Sequence, residues 1–135
     1  MGDMEKGLSF EEFIERAQKE TEITEDCEMY RAMQTINGRW RMVVMYQLSK
    51  KDSFRFGELQ KSLPNITKSM LSAALKELEG NGLVSRVQYN EIPPHVEYSL
   101  TDKGRGLFPI FYEIYRWLSE YPPSPREKKG AHIDD

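Results

Sequence analysis

Five side chains in the stretch "NITKSMLSAALKELEGNGLV", Asn65 to Val84, carry no negative charge and suit contact with a polyanion: Lys68, Ser69, Ser72, Ala73 and Lys76. Wound as a helix at about 100° per residue, they fall on the side opposite Met70, Leu71, Ala74, Leu75 and Leu78. The face they make donates, accepts or packs, and it holds no acid before Glu77. A solvated helix usually carries acids in its first turn, where they complement the helix dipole. An acid-free face suits a polyanion instead. Carboxylates would meet phosphates and groove acceptors, whereas Ser and Thr donate or accept, Ala can touch a thymine methyl, and Lys can reach guanine or phosphate.

The elements needed to hold that face are well signalled. Thr67 is placed to cap the helix, Pro64 and Asn65 supply a tight turn before it, and Gly80 with Gly82 ends it. Just upstream, "RFGELQKSL" sets Phe56, Leu59 and Leu63 at helical spacing. Helix, tight turn, helix is the arrangement that delivers a second helix into a DNA major groove. Arg55, at the entrance to the first of the two, and Lys61 are candidates for phosphate contacts; ordinary solvated cations are the alternative reading.

Downstream, "LVSRVQY" and "VEYSL" alternate as a strand pair should. Their connection, "NEIPPH", is too rigid at Pro93 and Pro94 for a tight two-residue turn, so it is expected to stand out as a wing. There Arg86, Asn90 and His95 could reach backbone or an adjacent minor groove; for His95 a plain surface histidine is the competing reading. Upstream, "RWRMVVMYQLS", with Trp40, Val43, Val44, Tyr46 and Leu48, is dense enough to be the core helix. "EMYRAMQTI" precedes it, broken off at Asn37 and Gly38. Ser9 with Glu12 forms a capping box opening "FEEFIERAQKE", an arm with Phe10, Phe13, Ile14 and Ala17 on one side and an end near Thr21. Thr101 caps a last helix running to about Glu120, and "PPSPREKKGAHIDD" reads as a disordered tail.

The expected fold is therefore mainly α with a small β-wing (α+β): a winged helix-turn-helix with an N-terminal helical arm and a long C-terminal dimerisation helix. Residues 1–26 form the arm and an acidic link, 27–121 the winged domain and 122–135 the tail. A chain of 135 residues, 39% hydrophobic and 30% charged, suffices for one such domain with tails. Its net charge of −3 divides unevenly: residues 37–90 carry +5, the segments before and after −6 and −2. A local positive patch is what phosphate contact requires, although a solvated basic face would also show this charge.

Other classes find little support. The only histidines are His95 and His132, and no HExxH, Gly-rich phosphate loop or G-x-S-x-G occurs, so no enzyme is expected. The single cysteine, Cys27, leaves no internal disulfide and no cysteine-cluster metal site; neither cofactor nor metal is expected. No apolar run approaches the roughly 18 residues of a membrane span, and "MGDMEK" lacks the basic and apolar regions of a secretory signal. The expectation is a cytoplasmic protein without membrane contact.

The run from Cys27 to Tyr121 resembles the HxlR family of bacterial transcriptional regulators. The residues that carry the likeness are Cys27 thirteen before Trp40, "INGRW", "FRFGELQKSLPNIT", "LKELEGNGLV", "IPPHVEYSLTDKG", and Pro109 with Trp117. Glu28, where the family often has Pro, and Asn37, where Gly is common, depart from it, and neither lies on the reading helix. The resemblance implies a sequence-specific regulator that binds double-stranded DNA as a homodimer on inverted repeats, with the helix after Thr67 as its reading head. An adaptor that uses a winged helix only for protein contacts is the alternative.

Two further expectations follow. In the last helix Leu107, Ile110, Ile114, Trp117 and Leu118 make one stripe, and Phe108, Phe111, Tyr112 and Tyr115 load its flanks, more apolar surface than one domain covers. The family pairs its terminal helices, which implies dimerisation here; an arm folded over this helix is the alternative. Some relatives sense oxidants or electrophiles through a cysteine at the position of Cys27. A helix start attracts a thiolate, while Glu25, Asp26 and Glu28 repel one, so a sensor for a small-molecule or oxidant effector and a quiet thiol both stand.

Overall fold

The computed structural model describes residues 7–125. The chain divides into two compact units, one through Thr35 and one from Ile36.

In the first unit, α1 (Phe10–Lys19) opens on the expected capping box. Ser9 Oγ accepts the Glu12 N–H at 3.1 Å, and Glu12 Oε1 accepts the Ser9 N–H at 2.9 Å, so two otherwise orphaned donors are satisfied reciprocally. Phe10, Phe13 and Ile14 remain exposed along this helix. α2 (Glu28–Ile36) follows, and Glu28 at its start is ion-paired with Arg16 of α1.

The second unit opens with Trp40 and α3 (Arg41–Leu48), whose Val44, Met45 and Leu48 are fully enclosed. Tyr46 is not part of that core. It is exposed, and its ring meets Phe111 edge-on at 5.5 Å. β1 (Phe54–Arg55) leads into α4 (Phe56–Lys61), then α5 (Lys68–Gly80), β2 (Val84–Tyr89) and β3 (His95–Leu100). The sheet has three antiparallel strands in the order β1-β3-β2, where the alternation in the sequence predicts two. Two residues are too few to show a period. β1 exists because Phe54 and Arg55 pair with Tyr98 and Glu97 more than forty positions away.

The pleat sorts the sheet's side chains. Phe54, Val84 and Leu100 face inward and close the core with Leu59, Leu63, Ile66, Leu71, Leu75, Leu78 and Leu83. Ser53, Arg55, His95 and Glu97 follow the opposite phase.

The last helix departs from the sequence reading. It is two: α6 (Asp102–Arg105), capped by Thr101 as expected, and α7 (Phe108–Glu120). Pro109 explains the interruption, since it has no N–H to donate and its ring would collide with the carbonyl of Arg105. The break turns Leu107 into the core, where it is only 9% exposed. α6 also packs close to the end of α5. A Cβ on the buried Gly104 would lie 2.3 Å from the Leu83 carbonyl oxygen, so the position excludes a side chain. Of the expected tail, residues 126–135, with His132, lie outside the described residues.

Candidate nucleic-acid interface

The face identified from the sequence is built by α5. Thr67 Oγ1 accepts the Met70 N–H at 3.0 Å, which caps the start. At the other end the Leu83 N–H reaches the Leu78 carbonyl at 2.9 Å and the Gly82 N–H the Glu79 carbonyl at 3.0 Å. This is a Schellman close, with Gly82 at φ 75° where a side chain would be strained. Leu71, Ala74, Leu75 and Leu78 are buried, and that fixes the rotation of the helix. Thr67, Lys68, Ser69, Ser72, Ala73 and Lys76 are all exposed. Glu77, the first acid, is turned to the body and pairs with Arg41 of α3 at 3.2 Å. The outward face is thus free of carboxylates along its first two turns.

The preceding helix is pinned at its entrance. Glu58 Oε1 accepts the Arg55 N–H at 2.8 Å, and its other oxygen accepts from Lys51 Nζ at 3.1 Å. The Arg55 amide, then the Lys51 ammonium, hold the Glu58 carboxyl below its ordinary range. The Arg55 and Lys61 side chains are exposed.

The wing does not present its polar residues together. Arg86, opposite Tyr98 in the ladder, lies on the α5 side of the sheet. There Ser72, Leu75, Lys76 and Glu79 of α5 and Arg86 and Tyr98 of the sheet line a cleft of about 300 Å³. Helix hydroxyl, helix ammonium and wing guanidinium therefore share one recess with the Glu79 carboxylate. Asn90 follows β2 and is exposed, and Ile92 at the wing's end is 100% exposed.

His95, grouped with the wing contacts in the sequence reading, lies in the other phase of the pleat. Its ring stacks on Tyr89 at 4.8 Å. Nε2 is in hydrogen-bond contact with Glu97 at 3.0 Å, and Nδ1 faces Glu91 at 3.5 Å. Its side chain is only 13% exposed. Both nitrogens are turned to carboxylates: alternation along β3 puts Glu97 on the same face as His95, and Glu91 approaches from the wing connection. Glu97 was not singled out by the sequence reading, although the period of two in "HVEYSL" places it beside His95.

A helix-turn-helix whose second helix presents an outward face free of acids along its first two turns, with a wing beside it, fits the sequence-family match. The HxlR-like helix-turn-helix family model matches residues 35–125. The chain belongs to this family. An HTH-type transcriptional regulator of Halalkalibacterium halodurans is 49% identical over 82 residues, which are 61% of this chain and 73% of that one. Among solved structures, a MarR-family transcriptional regulator from Porphyromonas gingivalis W83 superposes with a TM-score of 0.68 at 38% identity, over 75% of this chain and 98% of its own. The redox regulator HypR in its reduced form gives 0.64 at 36% identity, over 70% and 92%. The HxlR-like chain is accordingly a transcription regulator of the helix-turn-helix type, with a winged, MarR-like fold. Among its described residues no helix is long and apolar enough to cross a membrane.

Two sites of the HxlR-like chain lie outside the winged face. On α7, Ile110, Ile114, Trp117 and Leu118 are exposed, whereas Phe111 is half-buried and packs on the core with Leu107. The expected stripe is present without its first member. Cys27 precedes the family-matched span. Its thiol is partly exposed, with Glu20 Oε2 at 3.6 Å.

Proposed function

We propose that this HxlR-like regulator binds double-stranded DNA sequence-specifically as a homodimer on inverted repeats, with α5 in the major groove. The observation that carries the reading is the rotation of α5. Burial of Leu71, Ala74, Leu75 and Leu78 leaves Lys68, Ser69, Ser72, Ala73 and Lys76 outward, and Ser72 and Lys76 open on the same cleft as Arg86. Ser and Lys read base edges, Arg86 and Asn90 take backbone on the wing side, and Arg55 and Lys61 take phosphates beside the groove. The exposed stripe from Ile110 to Leu118 supplies the two-fold contact. No catalytic step, cofactor or membrane enters this reading.

The test is binding of the purified protein to random duplex DNA at rising salt. A phosphate-contacting regulator loses affinity steeply, with log K falling linearly against log salt. An adaptor that uses the fold for protein contacts alone binds at no salt concentration, and that outcome would end the proposal.

A second reading concerns Cys27. Its partly exposed thiol and the similarity to HypR support an oxidant-responsive regulator. Diamide or a quinone is then expected to change DNA affinity at least severalfold, and Cys27→Ser to abolish the response while keeping the binding. Alkylation that leaves binding untouched would make the thiol structural.

A further inference from the structure

A wing useful for recognition must be held at a fixed angle to the reading helix. Two strands alone hold themselves poorly. Here the inner face of the hairpin is buried at its base, at Val84 and Leu100, and meets the core one inner pair further out through the half-buried Tyr98. Toward the tip the inner pairing is Gln88 with Val96, and Gln88 is exposed. β1 braces β3 for just two residues, Phe54 and Arg55, and the last braced position is Glu97.

Glu97 does more than end that short ladder. Its Oε1 accepts from Ser53 Oγ at 3.0 Å, and Oε2 meets His95 Nε2 at 3.0 Å. Ser53 belongs to the turn entering the helix-turn-helix, while His95 is two pairs nearer the tip and stacks on Tyr89, the last residue of β2. A continuous chain of polar and ring contacts thus runs from the turn before β1, through one carboxylate, to the last pair of the β2–β3 ladder. The carboxylate itself is half-buried, and the Ser53 hydroxyl, then the His95 ring, favour its charged form. A two-oxygen acceptor is what the junction needs, since donors arrive from two sides.

We propose that Glu97 is a positioning residue of the wing: it ties the tip to the helix-turn-helix and so fixes where Arg86 and Asn90 meet DNA relative to α5. This rests on the DNA-binding reading, and it deepens that reading by naming the residue that sets the second contact.

The experiment compares Glu97→Ala and Glu97→Gln in the full chain. The probe is the duplex that the wild-type protein selects from a random-sequence library. Gln keeps one acceptor and one donor, and His95 can change tautomer to meet it; Ala keeps neither. Glu97→Ala is expected to lose about tenfold in affinity, equal to about 1.4 kcal/mol, with hydroxyl-radical protection lost at the wing-side flanks and kept at the central groove. Its amides from 86 to 96 are expected to exchange faster, and Glu97→Gln to stay near wild type in all three measurements.

A purely electrostatic carboxylate predicts otherwise. Both variants remove one negative charge beside Arg55, so both would bind DNA alike and more tightly, and that result would overturn the assignment. Unchanged amide exchange in Glu97→Ala would also overturn it, whatever the protein does with DNA. If the wild type selects no duplex, it is the DNA reading that fails, while the exchange measurement still decides the tether. Should circular dichroism show Glu97→Ala unfolded, Ser53→Ala cuts the same link from the other side. An intermediate loss with the same split between flank and centre is then expected, and a uniform loss or none refutes the tether.

Discussion

The proposed groove contact can be probed at a single side chain, Ser72. It is exposed on the second turn of α5 and opens on the cleft shared with Lys76 and Arg86. Glu is at least as good a helix former as Ser, and nothing buried is disturbed, so Ser72→Glu is expected to fold as the wild type does by circular dichroism. In a gel shift it is expected to lose specific binding. A base contact of this kind is worth about 1 to 3 kcal/mol, and a carboxylate adds repulsion from phosphate and groove acceptors. Ser72→Gln, similar in size and neutral, separates charge from bulk and is expected to bind more tightly than Ser72→Glu. Equal, wild-type affinity in both variants would remove α5 from the groove. Glu77 shows why charge must be read with geometry. It lies on the same helix, yet Arg41 draws it to the body at 3.2 Å, so its presence leaves the reading face unchanged.

At the scale of elements, α7 separates the core from the proposed interface. Ile114 is 48% exposed and Leu107 9%. Ile114→Glu is expected to leave the monomer's stability within about 0.5 kcal/mol, as surface substitutions do. It would break a dimer that buries the position, because an unpaired charge there goes uncompensated. Leu107→Ala is expected to cost about 2 to 5 kcal/mol of folding stability. Sedimentation at micromolar concentration and thermal melts distinguish the two. An intact dimer with Ile114→Glu would discard the α7 seam. Which elements could be read in advance follows from the range of the forces that shape them. α5 was legible to its rotation because its periodicity, its Thr67 cap and its Gly82 stop are all local. The β2–β3 pair was legible for the same reason. β1 was not, since its two residues become a strand only through pairing with Tyr98 and Glu97. The division at Pro109 had a local signal, but the apolar run across it reads as one stripe. Only the fold, which buries Leu107 and leaves Ile110 and Ile114 exposed, separates the first member of that stripe from the rest. His95 and Glu97 share a face by simple alternation, yet nothing in the sequence brings Ser53 to them.

At the scale of the whole molecule, the proposed recognition depends on two copies acting at once. Residues 37–90 carry +5 on a chain of net −3, so under the proposed function attraction to DNA would be local to this segment, while the acidic remainder would limit unspecific adhesion. One such head offers few base contacts. Two heads joined through α7 convert the second binding event into an intramolecular one, a gain of about 10²–10⁴ where geometry permits both to engage. That gain should be periodic in the spacing of the half-sites, because a rigid two-fold pair presents both α5 helices to the same face of the duplex. Inserting about five base pairs into the centre of the selected inverted repeat turns one half-site by half a helical turn, out of reach of its head. Affinity is expected to fall toward that of a single half-site, and an insertion of about ten base pairs is expected to recover part of it, as far as the protein's fixed span allows. Ile114→Glu, if it is monomeric, is expected to bind every spacing with the same weak affinity. A wild-type protein indifferent to spacing would mean that each head binds alone, and the inverted-repeat reading would fall even if α5 does enter the groove.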